Sequence, residues 1–554
     1  MRWGRKDNRP LRHGITKVTK DFFKASGISK RTNLLFALKF NLMKTKTVKT
    51  LIIVVFFSVH SSNMFAQKGK NDLYRSKKYL LEYLSDINVI KRFGLISDSI
   101  WKYAELGMQE FNSSALLIKT LEEEGFTIEN NVAGMPTCFV ATWGSGKPVI
   151  GILGEYDALP SISQKPLTPF QEPLIEGAPG HGCGHNMMGT AGVAAMIALK
   201  KTMETYKIPG TIKFFGSPAE EILMSRPYMV RAGVFDAVDA VIDNHASTAF
   251  STSYGVSGTA LISAIFSFKG KTAHSADEPW SGRSALDGVE LMNIATNYLR
   301  EHLFYTHRLH YVVTDGGEAP SVVPGRASVW YYIRNTDERI ETMYERVVDC
   351  AKGAAIASGT VLDAITILTG IHQQHSNKTL AEAIQVNIEL IGMPDWTEKE
   401  NNFARALQKE LGVDETGYPQ KPKPLSKPSE IQVGGGSTDV GEVSLVAPTV
   451  TIEFPGVVPG AIFHHWSTVT SNYGSAAWKG LNAGAKAISA SALDLLTKPM
   501  LLEDIRKEFE AYVKVHPYQS FLPPEAQPPL EINKELMNKY RDAMMKMQVS
   551  ENKE

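Results

Sequence analysis

The chain has 554 residues, 43% hydrophobic and 21% charged, a composition that excludes a disordered or fibrous protein and allows two domains with a substantial core. Its net charge of +1 hides an asymmetry: residues 1–66 hold 14 of the 59 Lys and Arg but 2 of the 58 Asp and Glu, leaving 45 basic against 56 acidic residues, a net of −11, in the remainder. An acidic body excludes nucleic acid as an expected partner, and three scattered cysteines, Cys138, Cys183 and Cys350, exclude a disulfide framework.

The basic excess comes first in the chain. Met43 opens a cationic stretch ending at Lys49, the apolar run 51–59 follows, and residues 61–66 are small or polar before Gln67. That is the layout of a secretory signal peptide ending near Ala66, with an apolar run too short to span a bilayer comfortably. Met43 is then the expected initiator, residues 1–42 an upstream extension, and the body from Gln67 an exported, periplasmic protein without stable membrane insertion.

Beyond it, short apolar runs at residues 148–153, 211–215, 240–242 and 449–454 predict buried strands, and the Ala-rich segment 189–206 predicts a helix. Such alternation predicts an α/β sheet flanked by helices. Each strand runs into polar residues: Glu155-Tyr156-Asp157, Glu220-Glu221 after Pro218, Asp243-Asn244-His245, and a loop with His464-His465. Open α/β sheets bind ligands beyond the carboxyl ends of their strands, so these groups are expected to converge. Between the third and fourth strands, residues 258–370 carry the pattern β-α-β-β-α-β, which predicts an inserted ferredoxin-like α+β unit. The expected division is 67–257 and 371–490 for the larger domain, 258–370 for the insert, and 491–554 for a C-terminal extension. Residues 418–428 and 517–529, rich in proline, read as surface loops.

The most informative stretch is His181-Gly182-Cys183-Gly184-His185-Asn186, where a thiol and an imidazole two positions apart sit on backbone that glycine lets fold sharply. Transition metals favour those donors. With Glu221, His245 and one of His464 or His465, the set suffices for two divalent ions of manganese, zinc or cobalt and leaves room for water, an arrangement suited to hydrolysis. Glu220, beside Glu221, is the candidate general base. Asp157 is placed to orient a ligand histidine or to cap a helix. His274, in the insert, is a candidate donor to the substrate, and Arg326 and Arg334, near its last two strands, are candidates to bind a carboxylate.

These residues sit in segments that resemble a known family. Gly154-Glu155-Tyr156-Asp157-Ala158-Leu159-Pro160, Gly182 to Asn186 with Gly189-Thr190-Ala191, Pro218-Ala219-Glu220-Glu221, Gly270 to Ala276 with Gly282 to Asp287, Val323-Pro324 with Trp330-Tyr331-Tyr332, and Ser437 to Gly441 are similar to the co-catalytic metallopeptidases and amidohydrolases that include aminoacylases, glutamate carboxypeptidases and indoleacetyl-amino-acid hydrolases. The resemblance implies a catalytic domain with a central mixed sheet and a smaller lid or dimerisation domain. It implies Cys183, His185, Glu221, His245 and His464 as metal ligands, His464 being preferred because relatives carry a histidine two residues before the tryptophan matching Trp466. Glu220 is implied as base, and His274 as a substrate contact that in relatives often reaches the neighbouring subunit's site.

Asn186 and Met188 stand where many members have Asp and His, as in the aminobenzoyl-glutamate branch. The expected function is therefore metal-dependent hydrolysis of an N-acyl amino acid, with p-aminobenzoyl-glutamate the leading substrate, by a homodimer or a pair with a homologous second subunit. A small-peptide dipeptidase or carboxypeptidase is the alternative. A non-catalytic binding relative loses ground because ligands and base are all present, and a Cys183 hydrolase would be insensitive to chelators.

Overall fold

A computed structural model of the protein describes residues 72–428 and 435–551; the expected signal peptide lies outside them. One compact unit begins at Ser76. Among the described residues no helix is long and apolar enough to cross a membrane.

Helices α1 (Ile87–Tyr103) and α2 (Phe111–Glu123) lead into strands β1 (Thr127–Asn130), β2 (Phe139–Ser145) and β3 (Val149–Gly154). Then come α3 (His185–Tyr206), β4 (Gly210–Gly216), α4 (Ser225–Arg231), β5 (Ala240–Ser247), β6 (Ser251–Thr252) and β7 (Gly255–Ser257). The insert contains β8 (Ala260–Lys269), α5 (Ala285–Leu299), β9 (Arg308–Asp315), β10 (Arg326–Asn335), α6 (Asp337–Ser358) and β11 (Val361–Ile371). The chain returns through β12 (Gln374–Ser376), α7 (Lys378–Ile391), α8 (Glu398–Glu410), α9 (Val440–Ser444), β13 (Thr449–Pro455), α10 (Trp466–Ser471) and α11 (Ser475–Thr497). It closes with α12 (Pro499–Val513) and α13 (Lys534–Glu551).

The larger sheet has nine strands in the order β1-β2-β4-β3-β5-β13-β12-β7, with β6 on β13. Strands β4, β3, β5, β13 and β12 run parallel, while β2 pairs antiparallel with β4 and β7 with β12, so the sheet is mixed. All six residues of β3 are buried, the continuous apolar run of a strand covered on both faces. Small residues let the covering helices close in: a Cβ on Gly480 of α11 would stand 1.8 Å from the Pro455 carbonyl of β13.

The smaller sheet, β11-β8-β10-β9, is antiparallel throughout. Its period-two pattern is clear in β10, where Ala327, Val329, Tyr331 and Ile333 join the core beneath α5 and α6. The alternate residues Trp330, Tyr332 and Arg334 point to the opposite face. The two proline-rich segments lack regular structure, as expected, yet they are not simply surface loops. Tyr418 is buried and stacks on Trp396 at 4.5 Å between centroids, and Phe521 stacks on His372 at 4.1 Å. Helix α13 docks Met537 and Met544 against Leu106 and Ala158, and Arg541 pairs with Glu105 at 2.6 Å.

Candidate active site

The carboxyl ends of β3, β4, β5 and β13 face one cleft of about 570 Å³, which Glu155, Cys183, Glu220, Glu221, His245, Arg334 and His464 help to line. Gly184 makes the turn that delivers the thiol and imidazole: its φ is +89°, and a Cβ there would meet the Ala246 Cβ at 2.6 Å. Cys183 ends the loop, and His185 begins α3, four residues before the expected helix start. His181, from the same motif, turns away, its Nε2 lying 3.0 Å from the Ile100 carbonyl oxygen.

Around Cys183 the donor atoms form two groups, each with its members within 4.8 Å of one another: Cys183, His185 and His245, and Cys183, Glu221 and His464. The sulfur is common to both. Cys183 Sγ stands 3.4 Å from His245 Nε2, His464 Nε2 is 3.2 Å from Glu221 Oε2, and His185 Nε2 is 3.9 Å from Glu221 Oε1. Of the neighbouring histidines, His464 therefore enters the cluster. His465 caps α10 instead, its Nδ1 3.0 Å from Ser467 Oγ.

Asp157 binds the cluster together from behind. Its Oδ1 lies 2.8 Å from His185 Nδ1 and its Oδ2 accepts the Glu221 backbone N–H at 2.9 Å. With Nδ1 donating to this carboxylate, His185 turns the lone pair of Nε2 into the cleft. Glu220 and Glu221 occupy a single turn of 3₁₀ helix between two left-handed residues, Ala219 at φ 57° and Leu223 at φ 59°. The tight turn splays the two carboxylates, so that Glu220 Oε2 stands 3.8 Å from His185 Nε2 while Glu221 reaches His464.

The electrostatics call for a cation. Burial, and then Glu221, push the Cys183 thiol up to about 12. Burial pushes Glu221 up to about 8, with Asp157 and Glu155 adding to the effect against His185. Glu220 is held well above the carboxylate range by burial and by Glu155. His185 Nε2 and Glu221 Oε1 are buried without hydrogen-bond partners. Soft sulfur, imidazole nitrogen and carboxylate oxygen aimed inward with unspent lone pairs fit divalent transition-metal ions.

Three expected substrate contacts separate. Arg334 lies at the cleft, Nη1 donating to Ser437 Oγ at 2.6 Å. Arg326 faces solvent at the other end of β10, because eight residues along one strand span roughly 26 Å. His274 is likewise exposed near that distant end, its Nδ1 accepting the N–H groups of Ala276 and Asp277. Neither reaches the cleft of its own chain. Asn186 and Met188 are buried in packing roles, Asn186 donating to Ser97 Oγ and the Asn472 carbonyl.

Other neighbours of the cluster carry no role that the sequence alone assigns. Glu155 Oε2 lies 3.2 Å from His185 Nε2, and its Oε1 is 2.7 Å from Nη2 of the fully buried Arg226. Arg226 Nη1 also donates to Asp439 Oδ1. Asp439 lies in the Ser437 to Gly441 motif and Glu155 follows a buried strand; Arg226, five residues beyond Glu221, has no comparable signal.

Residues 151–553 match the family model described as peptidase family M20/M25/M40. One of the subunits of p-aminobenzoyl-glutamate hydrolase from Escherichia coli (strain K12) is 35% identical over 463 residues, 79% of this chain and 96% of the relative. The Xaa-Arg dipeptidase of Mus musculus is 29% identical over 435 residues, 76% of this chain and 89% of the relative. An aminobenzoyl-glutamate utilization protein from Klebsiella pneumoniae has the same fold, with a TM-score of 0.52 at 16% identity over 74% of this chain and 97% of that one.

Proposed function

The chain belongs to peptidase family M20/M25/M40, and we propose that it is a metal-dependent amidohydrolase acting on N-acyl amino acids, with p-aminobenzoyl-glutamate as the leading substrate. The observation that carries this reading is the pair of donor groups sharing Cys183, beside which the buried Glu220 stands in a third group with Glu155 and His185.

Cys183, His185 and His245 would hold one divalent ion and Cys183, Glu221 and His464 a second, of manganese, zinc or cobalt. Bound there, the ions supply Lewis-acid activation of water and stabilisation of the oxyanion formed at the attacked carbonyl. Glu220 takes the proton of the attacking water and returns it to the leaving amide nitrogen, a role suited to a carboxyl whose proton affinity burial has raised. Asp157 keeps His185 in one tautomer. Arg334, steadied by Ser437, offers a fork to the substrate carboxylate.

His274 and Arg326 act on the cleft of a partner copy in this reading, since they lie too far along the insert to serve their own. Support for a homodimer comes from strand β9, which is an edge of the smaller sheet and exposes Val312 and Val313. The Escherichia coli relative is named as one subunit of its hydrolase, which supports pairing with a homologous second chain as the other arrangement; co-purification separates the two. The signal-peptide layout supports export to the periplasm, with N-terminal sequencing of the mature protein as its test. A dipeptidase reading gains from one observation, the acidic groups Glu453 and Asp243 on the cleft wall, which favour a substrate with a basic or amine end.

The test is release of p-aminobenzoate from p-aminobenzoyl-glutamate by protein starting at Gln67 and loaded with manganese or zinc, beside a chelated control. Metal-dependent release is expected. Hydrolysis of dipeptides ending in arginine without release of p-aminobenzoate would transfer the assignment to the second reading.

A further inference from the structure

Glu110 carries a fully buried carboxyl group from outside the cluster. It precedes α2, and its oxygens accept hydrogen bonds from the Ala219 backbone N–H at 2.8 Å and from Thr137 Oγ1 at 2.9 Å. Ala219 is the residue before Glu220, and its left-handed backbone is a conformation that residues with a Cβ avoid. Asp157 accepts the N–H of Glu221 from the other side. The turn that presents Glu220 is therefore gripped at alternate amides by two carboxyl groups from separate parts of the chain. Gly107 lets the loop before Glu110 close on this turn, since a Cβ there would come within 2.9 Å of Ala219 Cα.

We propose that Glu110 is a positioning residue, holding the strained backbone of Ala219 so that the Glu220 carboxylate stays aimed at the reacting water. The inference rests on the reading of Glu220 as the base. It follows from reach: the Glu110 side chain spans the gap from α2 to Ala219, and without it a buried N–H lies unpaired beside a residue already in a disfavoured conformation. The turn then relaxes by rotating Ala219, which swings Glu220 first. Displacing a catalytic group by about 1 Å is enough to cost roughly 100-fold in rate.

Reach and charge are separated by two variants. Glu110→Gln keeps the length, its amide oxygen accepting from Ala219 and its NH₂ donating to Thr137 Oγ1. Glu110→Asp keeps the carboxyl group but is one methylene too short. Assayed with p-aminobenzoyl-glutamate on the manganese-loaded enzyme, Glu110→Gln is expected to retain kcat within about threefold, and Glu110→Asp to lose about 10- to 100-fold in kcat with KM and metal content unchanged. Hydrogen exchange over residues 217–224 gives a readout independent of turnover: protection of the Ala219 amide persists in Glu110→Gln and falls in Glu110→Asp. Thr137→Val, which frees one oxygen of Glu110, is expected to lose several-fold in kcat and serves if the Asp variant does not fold.

Full kcat and unchanged protection in Glu110→Asp would overturn the proposal. A loss in Glu110→Gln as large as or larger than that in Glu110→Asp would overturn it too, because a side chain of full reach would then fail to hold the turn. Absence of turnover in the wild-type enzyme with the expected exchange pattern intact would instead overturn the substrate reading.

Discussion

Replacing Arg226 by methionine should destabilise the protein far more than removing any surface ion pair. The guanidinium is fully buried, Nη2 lying 2.7 Å from Glu155 Oε1 and Nη1 donating to Asp439 Oδ1, while the Arg226 backbone N–H donates to Asp439 Oδ2 at 3.0 Å. Methionine fills much of the stem volume but leaves two carboxylates buried without their cation. Removing one partner of such a pair costs about 3–5 kcal/mol, a large part of the roughly 5–15 kcal/mol that holds a typical domain folded. The loss falls toward the lower figure if Asp439 takes up a proton, because burial already raises its affinity.

Arg405→Met is the control. Its 2.6 Å pair with Glu398 is 34% and 78% exposed, and such pairs contribute about 0–1 kcal/mol. Urea unfolding at pH 7, followed by tryptophan fluorescence, compares the variants through their midpoints at constant slope. A loss below about 1 kcal/mol for Arg226→Met, equal to that of the control, would refute the argument that uncompensated buried charge sets the cost.

His464→Ala should lower the bound metal from about two ions per chain to about one, while His465→Ala leaves it unchanged; elemental analysis after gel filtration checks both, and the reverse result would make His465 the ligand. Cys183→Ser should weaken both ions together in a competitive chelator titration, and selective loss of one would rule out a shared thiolate. His372 is raised above its ordinary pKa because the hydrogen bond and charge of Glu442, 2.5 Å away, outweigh burial. A group raised in the folded state stabilises fully below its unfolded pKa of about 6.5, and that stability is lost as pH rises through the folded value. The stability gap between wild type and His372→Gln should therefore be widest below about pH 6.5 and narrow in alkaline buffer; a gap that widens with pH contradicts the assignment.

What is legible in the sequence is what local pattern encodes. Apolar runs locate four of the five parallel strands, β3, β4, β5 and β13, to within a few residues, except that β5 extends to Ser247. The ligand types are readable because Glu221, His245 and His464 lie beyond buried strands and Cys183 and His185 stand two apart in a Gly-rich motif, and topology then brings them together. Arg326 and Arg334 show the limit: both fit a carboxylate site by residue type, but strand length separates them. Glu110 meets Ala219 across 109 positions, and Arg226 meets Asp439 across 213. No spacing announces such pairs. The hairpin β1–β2 also escapes a reading by pattern, since β1 is largely exposed and lacks an apolar run.

Comparing wild type with Glu220→Gln, both loaded with manganese, for p-aminobenzoyl-glutamate turnover and bound metal on the same samples goes straight to the mechanism. The expected result is an unchanged metal count with a loss of about 10²–10⁴-fold in kcat, the contribution of a positioned general base. A Glu220→Gln enzyme that keeps both its metal and its turnover would contradict the assignment of Glu220 as the base, and with it the mechanism.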